Sequence, residues 1–204
     1  MSKIGDLLRK HLKNFTPYST ARDDFKGDRG IFLDANENAL GSVIFKNYNR
    51  YPDPRQSHLK LVMGKIKGIA PECIFMGNGS DEPIDLLVRL FCEPGLDHII
   101  ITPPTYGMYG VLSNLNNIEN REVLLSEVFQ PNLEKILETV DENTKIIFLC
   151  SPNNPTGNSF STKTIEELLT KFKGLVVIDE AYIDFSVEKS WLDRLDEFPN
   201  LIIT

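Results

Sequence analysis

The sequence predicts an α/β fold with a mostly parallel central sheet and helices on both faces. From residue 59 onward, short and continuously apolar segments alternate with amphipathic segments of helical length. A continuously apolar strand is typical of a parallel sheet buried on both faces, and amphipathic segments are typical of the helices that cover it. The longest apolar runs, such as residues 99–101 and 175–178, are far shorter than the roughly 20 residues that cross a bilayer.

The predicted elements follow one another in a regular order. Helices are predicted over residues 59–67, 81–92, 107–115, 132–139 and 162–172. Strands are predicted over residues 74–76, 98–102, 122–125, 146–150 and 175–178, and another begins at Leu201. The first fifteen residues carry apolar side chains at helical spacing and predict an amphipathic helix, whereas the Asp, Asn, Gly and Pro of residues 16–57 indicate an irregular segment.

Composition and charge exclude several classes of protein. The 204 residues include 29 acidic and 22 basic side chains, for a net charge of -7, and 41% are hydrophobic, as in a globular domain. This acidic balance argues against nucleic acid as a partner.

The cysteines and histidines show no metal-binding pattern. The cysteines, Cys73, Cys92 and Cys150, lack C-x-x-C spacing, and the three histidines lie far apart. No signal-peptide or membrane-spanning pattern is present. We therefore expect a cytoplasmic protein with reduced thiols and no metal site.

The first candidate binding loop runs from Gly77 to Glu82, after the predicted strand 74–76 and at the start of a helix. Its glycines allow the backbone to approach an anion, Ser80 is expected to cap the helix and bind through its hydroxyl, and free N–H groups at a helix start favour negative charge. The loop lacks the third glycine of a dinucleotide fingerprint and the lysine of a P-loop. A phosphate site and an ordinary capped glycine turn are both consistent with it.

Three further loops follow predicted strands, at the edge where open α/β sheets bind ligands. Residues 151–157 contain two prolines and two asparagines, which suit either a rigid turn or an amide donor held at the sheet edge. Asp179 ends a very apolar strand, where a buried carboxylate requires a cation or a hydrogen-bonded proton, so a positive group is expected opposite it. Tyr106 places an aromatic ring after strand 98–102. Together the loops offer the phosphate site, stacking ring, amide and acid that pyridoxal phosphate requires.

Sequence motifs over almost the whole chain support this interpretation. They are Thr16-Pro17-Tyr18 with Ala21-Arg22, Leu33-Asp34-Ala35-Asn36-Glu37-Asn38, Tyr51-Pro52-Asp53-Pro54, GNGSDEPIDLLVR from Gly77, PPTYGMY from Pro103, FLCSPNNPTGN from Phe148 and VVIDEAYIDF from Val176. In this order they are specific, and the chain resembles the fold-type I pyridoxal-phosphate enzymes related to aspartate aminotransferase. Within that group it is most similar to the histidinol-phosphate aminotransferase family of histidine biosynthesis.

The resemblance implies a role for each matching residue. Gly79, Ser80 and Asp81 would hold the cofactor phosphate, and Tyr106 would stack on the pyridine ring. The remaining cofactor and substrate residues implied by the family are Asn154 and Tyr182 at the phenolic oxygen, Asp179 at the ring nitrogen, Tyr51 at the phosphate of a partner subunit, and Tyr18 and Asn36 on the substrate side. Asp179, Tyr182 and Asn154 are the expected catalytic residues.

The family also implies a homodimer that transfers an amino group between L-histidinol phosphate and 2-oxoglutarate, giving imidazole acetol phosphate and glutamate. A threonine-phosphate decarboxylase and a noncatalytic fragment are the alternatives.

The sequence departs from the family pattern at two places. Ala39 stands where the family commonly has proline. The family's Schiff-base lysine follows a strand that begins P-N-L-I-I, and this sequence stops at Thr204 within that strand. Lys189 matches no family position. We therefore expect residues 1–30 to form an arm and residues 31–204 an incomplete cofactor-binding domain of a truncated, inactive chain.

Overall fold

The structure is a computed structural model that describes residues 4–19, 30–46 and 48–204. By its internal contacts the chain divides into two compact units. The larger unit comprises Met1–Lys13 and Gly77–Thr204, and the smaller unit comprises Asn14–Met76. Ala21 and Arg22 lie outside the described residues, as does the whole stretch 20–29 before the expected boundary at residue 30, so that boundary stays a prediction.

The larger unit is built on a five-stranded sheet in which every neighbouring pair is parallel. Its strands lie in the order β2-β1-β3-β4-β5. They are β1 (His98–Ile101), β2 (Glu119–Glu122), β3 (Thr144–Cys150), β4 (Leu175–Asp179) and β5 (Leu201–Ile203). Since the chain reverses its direction across the sheet between β1 and β3, the carboxyl edge beside these strands is the usual ligand position in such a fold.

Four α-helices cover the two faces of this sheet. They are α2 (Asp81–Phe91), α3 (Met108–Leu115), α4 (Leu133–Thr139) and α5 (Thr162–Lys171). Side chains of β3 alternate between the faces: Phe148 and Cys150 pack with α2 and α3, whereas Ile147 and Leu149 pack with α4 and α5. Each face has its own apolar core, which is why β3 and β4 need continuous apolar sequences. The predicted α/β class and the parallel sheet are thus confirmed.

The N-terminal α-helix prediction is wrong. Residues Ile4–Leu7 and Lys10–Leu12 form two separate 3-10 turns. Arg9 adopts an extended conformation between them, its N–H donates to the carbonyl of Leu90 at 3.0 Å, and its guanidinium bonds both carboxylate oxygens of Glu93. Contacts with the end of α2 therefore replace the hydrogen bonds that a continuous helix would have made.

The strand predicted over residues 122–125 lies earlier, at Glu119–Glu122. Its sequence is polar because β2 is an edge strand that pairs only with β1. The apolar residues beyond it still bond to the neighbouring strand, since the N–H of Val123 donates to the carbonyl of Ile101 in β1. The hydrophobic pattern therefore identified the apolar residues that follow the strand and did not identify the polar strand itself.

The smaller unit contains α1 (Ser57–Lys67) and a 3-10 turn at Pro71–Cys73. Helix α1 ends at Gly68, whose φ of 72° is a left-handed conformation that favours glycine. The strand predicted over residues 74–76 is wrong, because no strand of the described residues pairs with this segment and a strand needs a partner. Across the described ranges, no helix has the length and apolar character to span a membrane.

Candidate functional site

The carboxyl ends of β1, β3 and β4 bring three of the predicted loops to one edge of the sheet. Cys150 at the end of β3 is in register with Asp179 at the end of β4. The N–H of Ser151 donates to the carbonyl of Asp179 at 2.9 Å, which extends the pairing into the loop. This register sets the asparagine-containing loop beside the acid, as the sequence predicted.

Asp179 is almost completely buried, with 3% of its surface exposed. Its Oδ1 accepts a hydrogen bond from the N–H of Ala181 at 3.1 Å, and its Oδ2 accepts one from the hydroxyl of Tyr109 at 2.6 Å. Among the described residues no Lys, Arg or His side chain forms an ion pair with it. Among the described residues no protein side chain supplies the expected positive group, and the hydroxyl of Tyr109 supplies a hydrogen-bonded proton.

Tyr109 is a site residue that the sequence analysis missed. It lies in the first turn of α3, is completely buried, and stacks on Phe148 of β3 with the ring centroids 4.8 Å apart. Burial, followed by the nearby charge of Asp179, raises the pKa of its hydroxyl, which keeps the hydroxyl a neutral donor. Its sequence signal is its position at the end of the PPTYGMY motif, three residues after Tyr106 and at the start of a predicted helix.

The ring of Tyr106 is held in place from two directions. Its hydroxyl donates to Oδ1 of Asp81 at 3.0 Å, and its ring meets Tyr109 edge to face with centroids 5.5 Å apart. Burial and then the hydrogen bond to Asp81 raise the pKa of the Tyr106 hydroxyl. Asp81, Tyr106, Tyr109 and Asp179 thus form one connected series of side chains from the start of α2 to the end of β4.

The glycine loop before α2 has the open backbone expected of an anion site. Gly79 has a φ of +73°, and a Cβ there would meet no heavy atom within 4 Å. The prediction that Ser80 caps the helix is wrong: its side chain accepts no capping hydrogen bond. Instead, the carboxylate of Glu82 accepts a hydrogen bond from the backbone N–H of Asn78 at 2.6 Å, so a side chain of the helix pairs with the main chain of the loop. The Ser80 hydroxyl makes no hydrogen bond with the described residues and stays available to a ligand.

The two neighbouring asparagines of the loop after β3 have different environments. Asn153 is buried, and its carboxamide donates to the carbonyl of Pro104 at 2.9 Å and to the Thr156 hydroxyl at 2.7 Å, while it accepts from Thr105. The carboxamide of Asn154 makes no hydrogen bond with the described residues and lines a cavity. Asn153 therefore holds the loop, and Asn154 is the residue with donors free for a ligand.

This cavity has a volume of about 600 Å³ and opens beside the end of β4. Tyr182, which is 47% exposed, also lines it. Glu180 secures the segment that carries Tyr182, since its carboxylate accepts from the Ser190 hydroxyl and from the N–H of Trp191. The other lining residues are Pro152, Asn153, Pro155, Gly157, Ser159, Phe185, Ser186, Val187 and Glu188.

The other predicted residues, Tyr18, Asn36 and Tyr51, belong to the smaller unit. The side chains of Tyr18 and Tyr51 are exposed, and the N–H of Tyr51 donates to the carboxylate of Glu37 at 2.7 Å. Their assignment to the substrate and to a partner's cofactor stays a prediction. Within the part of the chain that the structure describes, no cluster of three or more His, Cys, Asp and Glu could hold a metal ion.

Known proteins resemble this chain over most of its length. Residues 24–204 match the family model described as aminotransferase class I and II. A histidinol-phosphate aminotransferase of Flavobacterium johnsoniae is 59% identical, and the match covers 98% of this chain and 57% of the relative. The corresponding enzyme of Bacteroides thetaiotaomicron is 52% identical, over 100% of this chain and 58% of the relative. The chain thus spans somewhat more than half the length of these relatives.

Solved structures show the same fold at lower identity. A histidinol-phosphate aminotransferase from Clostridium acetobutylicum superposes with a TM-score of 0.66 at 23% identity, covering 76% of this chain and 46% of that one. An L-threonine-O-3-phosphate decarboxylase from Porphyromonas gingivalis gives a TM-score of 0.62 at 21% identity, covering 76% and 47%. Such identities speak for the fold alone. Because the family model matches most of the sequence, the chain belongs to the class I and II aminotransferases.

Proposed function

We propose that this chain forms the pyridoxal-phosphate site of a histidinol-phosphate aminotransferase that acts in histidine biosynthesis. The observation that carries the proposal is a buried carboxylate at the carboxyl edge of the sheet, together with two polar side chains that make no hydrogen bond with the described residues. Asp179 is buried without a cationic partner among the described residues, and Asn154 and Ser80 keep their polar side chains unbonded. A flat cationic ring with a phenolic oxygen and a phosphate would satisfy all three.

Each contact in this proposal follows from the chemistry of the side chain. Asp179 would hold the proton on the ring nitrogen, because an anion in a buried site favours a cation beside it. Asn154 and Tyr182 would donate hydrogen bonds to the phenolic oxygen, and Tyr106 would stack on the ring. Gly79, Ser80 and Asp81, at the start of α2, would bind the phosphate through backbone N–H groups and the serine hydroxyl.

When bound, the cofactor would supply an electron sink for the reaction at the substrate. The protein residues would orient its ring and hold the proton on its nitrogen. Asp179 is the residue on which this chemistry depends, because a protonated ring nitrogen withdraws electrons more strongly than a neutral one. Asn154 and Tyr182 would hold the phenolic oxygen and keep the ring aligned.

The substrate assignment rests on the relatives. Those quoted above share 52% and 59% identity with this chain and are named histidinol-phosphate aminotransferases. We infer the same reaction here, with L-histidinol phosphate and 2-oxoglutarate as substrates and imidazole acetol phosphate and glutamate as products. The decarboxylase shares the fold, so the two activities need to be separated by assay.

We further propose that the protein works as a cytoplasmic homodimer, with residues 31–204 in its cofactor-binding domain. All three cysteines are free thiols, which agrees with a reducing compartment. Tyr18 and Asn36 would lie on the substrate side, and Tyr51 would reach the cofactor phosphate of the partner subunit. The polar, irregular stretch that carries these residues is the kind of segment that an interface orders.

The function is tested on the protein as its gene encodes it. Glutamate formation from L-histidinol phosphate and 2-oxoglutarate, dependent on added pyridoxal phosphate, is the expected result. Release of carbon dioxide from threonine phosphate without glutamate formation would assign the decarboxylase instead. If the protein binds the cofactor but neither substrate, the cofactor site stands and the proposed reaction is wrong.

A further inference from the structure

The hydroxyl of Tyr109 is the only side-chain group among the described residues that donates a hydrogen bond to Asp179. The two residues are 70 positions apart in the chain, and their side-chain oxygens are 2.6 Å apart. Both are buried, Tyr109 completely and Asp179 almost so. A hydrogen bond between a neutral hydroxyl and a carboxylate is short and strong when water is excluded.

The rest of Tyr109 is fixed by packing, so its hydroxyl has one position. Its ring stacks on Phe148 at an interplanar angle of 12° and meets Tyr106 edge to face. A phenylalanine would keep the ring contacts and lose only the oxygen. The apolar core on this face of the sheet therefore explains a ring at residue 109, whereas the carboxylate of Asp179, with the thiol of Cys150 beside it, explains the hydroxyl.

Without this donor, the carboxylate of Asp179 would keep a single hydrogen bond among the described residues, from the N–H of Ala181. With one donor left, the side chain of Asp179 could rotate away from the position that meets the ring. A rotated carboxylate does not hold a cationic ring nitrogen. The hydroxyl of Tyr109 therefore acts on the ring through Asp179.

We propose that Tyr109 is a positioning residue whose hydroxyl holds Asp179 in the orientation that receives the pyridine nitrogen of the cofactor. The inference rests on the proposed function, since it requires that Asp179 meet that nitrogen. Tyr109 bonds Asp179, and the proposal gives it no direct contact with the pyridine ring of the cofactor.

The test compares the affinity of pyridoxal phosphate with that of its 1-deaza analogue, in which carbon replaces the ring nitrogen. The protein, as its gene encodes it, is titrated with each compound, and the ratio of the two Kd values isolates the contact with Asp179. Wild type is expected to prefer pyridoxal phosphate clearly. Tyr109→Phe should reduce this preference about tenfold, the worth of one hydrogen bond to a charged group. Its affinity for the deaza analogue should stay nearly unchanged.

Ser113→Ala is the matched control. Ser113 lies on the same helix, is buried, and donates to the carbonyl of Gly110 at 3.0 Å, so the variant loses a buried hydroxyl hydrogen bond away from Asp179. It should keep the wild-type ratio. In an Asp179→Asn background, Tyr109→Phe should cause no further change in the ratio, which separates an effect through the acid from a general loss of structure.

Two results would overturn the inference in distinguishable ways. If wild type prefers pyridoxal phosphate and Tyr109→Phe keeps that preference, or weakens both compounds equally, Tyr109 has only a packing role. If wild type itself binds both compounds equally, Asp179 does not meet the ring nitrogen. In that case the proposed role of Asp179 fails, and the role of Tyr109 fails with it.

Discussion

Cys150 and Asp179 lie directly opposite one another at the carboxyl ends of two neighbouring parallel strands. Their register places the loop that begins at Ser151 beside the acid, and the backbone bond from Ser151 to Asp179 maintains this arrangement beyond the strands. The side chain of Asp179 and the loop that carries Asn154 therefore lie at the same edge of the sheet. A cofactor bound there would meet groups that are already in place before it arrives.

Replacing Asp179 with asparagine should abolish most of the proposed activity. The amide keeps an oxygen for the N–H of Ala181, so the fold should persist, but a neutral amide cannot hold the ring nitrogen protonated. We expect kcat for amino transfer to fall by at least about 100-fold, the size typical of losing one catalytic electrostatic contact. Circular dichroism and steady-state kinetics measure the two effects. Turnover close to wild type would show that Asp179 does not serve the ring.

The two adjacent asparagines should separate stability from binding. Asn153→Ala removes the buried carboxamide that holds Pro104 and Thr156, and should lower the free energy of unfolding by about 2 kcal/mol. Asn154→Ala should change that free energy by less than about 0.5 kcal/mol. It should weaken pyridoxal-phosphate binding about tenfold, because it removes a donor to the phenolic oxygen.

Urea unfolding without cofactor and a cofactor titration distinguish the two asparagine variants. Each variant serves as the control for the other, since both remove the same amide from neighbouring positions of one loop. The assignment would be reversed if Asn154→Ala unfolded at lower urea concentration while Asn153→Ala bound the cofactor weakly at unchanged stability.

Ser80→Ala should affect phosphate binding and leave the stability of α2 nearly unchanged. The serine makes no capping hydrogen bond, so its loss should alter the free energy of unfolding by less than about 0.5 kcal/mol. The matched variant Asn132→Ala removes a real cap, in which the asparagine oxygen accepts from the N–H of Lys135 at 3.1 Å, and should cost about 1 kcal/mol.

Binding of pyridoxal phosphate and of unphosphorylated pyridoxal measures the other half of this prediction. Ser80→Ala should weaken only the phosphorylated compound, whereas Asn132→Ala should leave both affinities unchanged. Equal weakening of the two compounds by Ser80→Ala would exclude a phosphate contact at this hydroxyl.

His98 should make the free energy of unfolding depend on pH in the weakly acidic range. Its ring is 1% exposed, and burial, reinforced by the charge of Arg121, lowers its pKa below 6.5, although Asp141, Glu119 and Asp97 act in the opposite direction. As the pH falls below 6.5, the unfolded chain takes up this proton before the folded chain does. The contribution of His98 to stability is therefore present above pH 6.5 and is lost as the pH falls towards the lower folded pKa.

The measurement is urea unfolding between pH 5.5 and 7.5, a window chosen above the range in which most carboxylates titrate. His98→Gln keeps a donor near the Thr144 hydroxyl and removes the titration. The wild-type decrease in stability towards pH 5.5 should be smaller in this variant. An identical decrease in both proteins would assign the pH dependence to other groups.

The sequence by itself determined the α/β class, the succession of helices and parallel strands, and the loops that carry the site. These features depend on local patterns, because a strand buried on both faces must be apolar throughout and a covering helix must be apolar on one side. Residues 146–150 and 175–178 could therefore be identified without any knowledge of their neighbours. Edge and terminal segments lack this constraint, which explains the misplaced strand at residues 122–125 and the N-terminal helix that is not formed.

Only the tertiary structure decided which polar side chains are committed and which are free. Asn153 and Asn154 are the same residue type at adjacent positions, and just one of them turns its amide into the protein. Ser80 resembles a helix cap in the sequence, but its side chain makes no capping hydrogen bond. The carboxylate of Glu82 instead bonds the backbone N–H of Asn78 in the same loop. The contact between Tyr109 and Asp179 depends on how α3 packs on β3 and β4, across 70 residues of chain. Hydrogen bonds between distant segments are set by packing, and a local pattern carries no information about them.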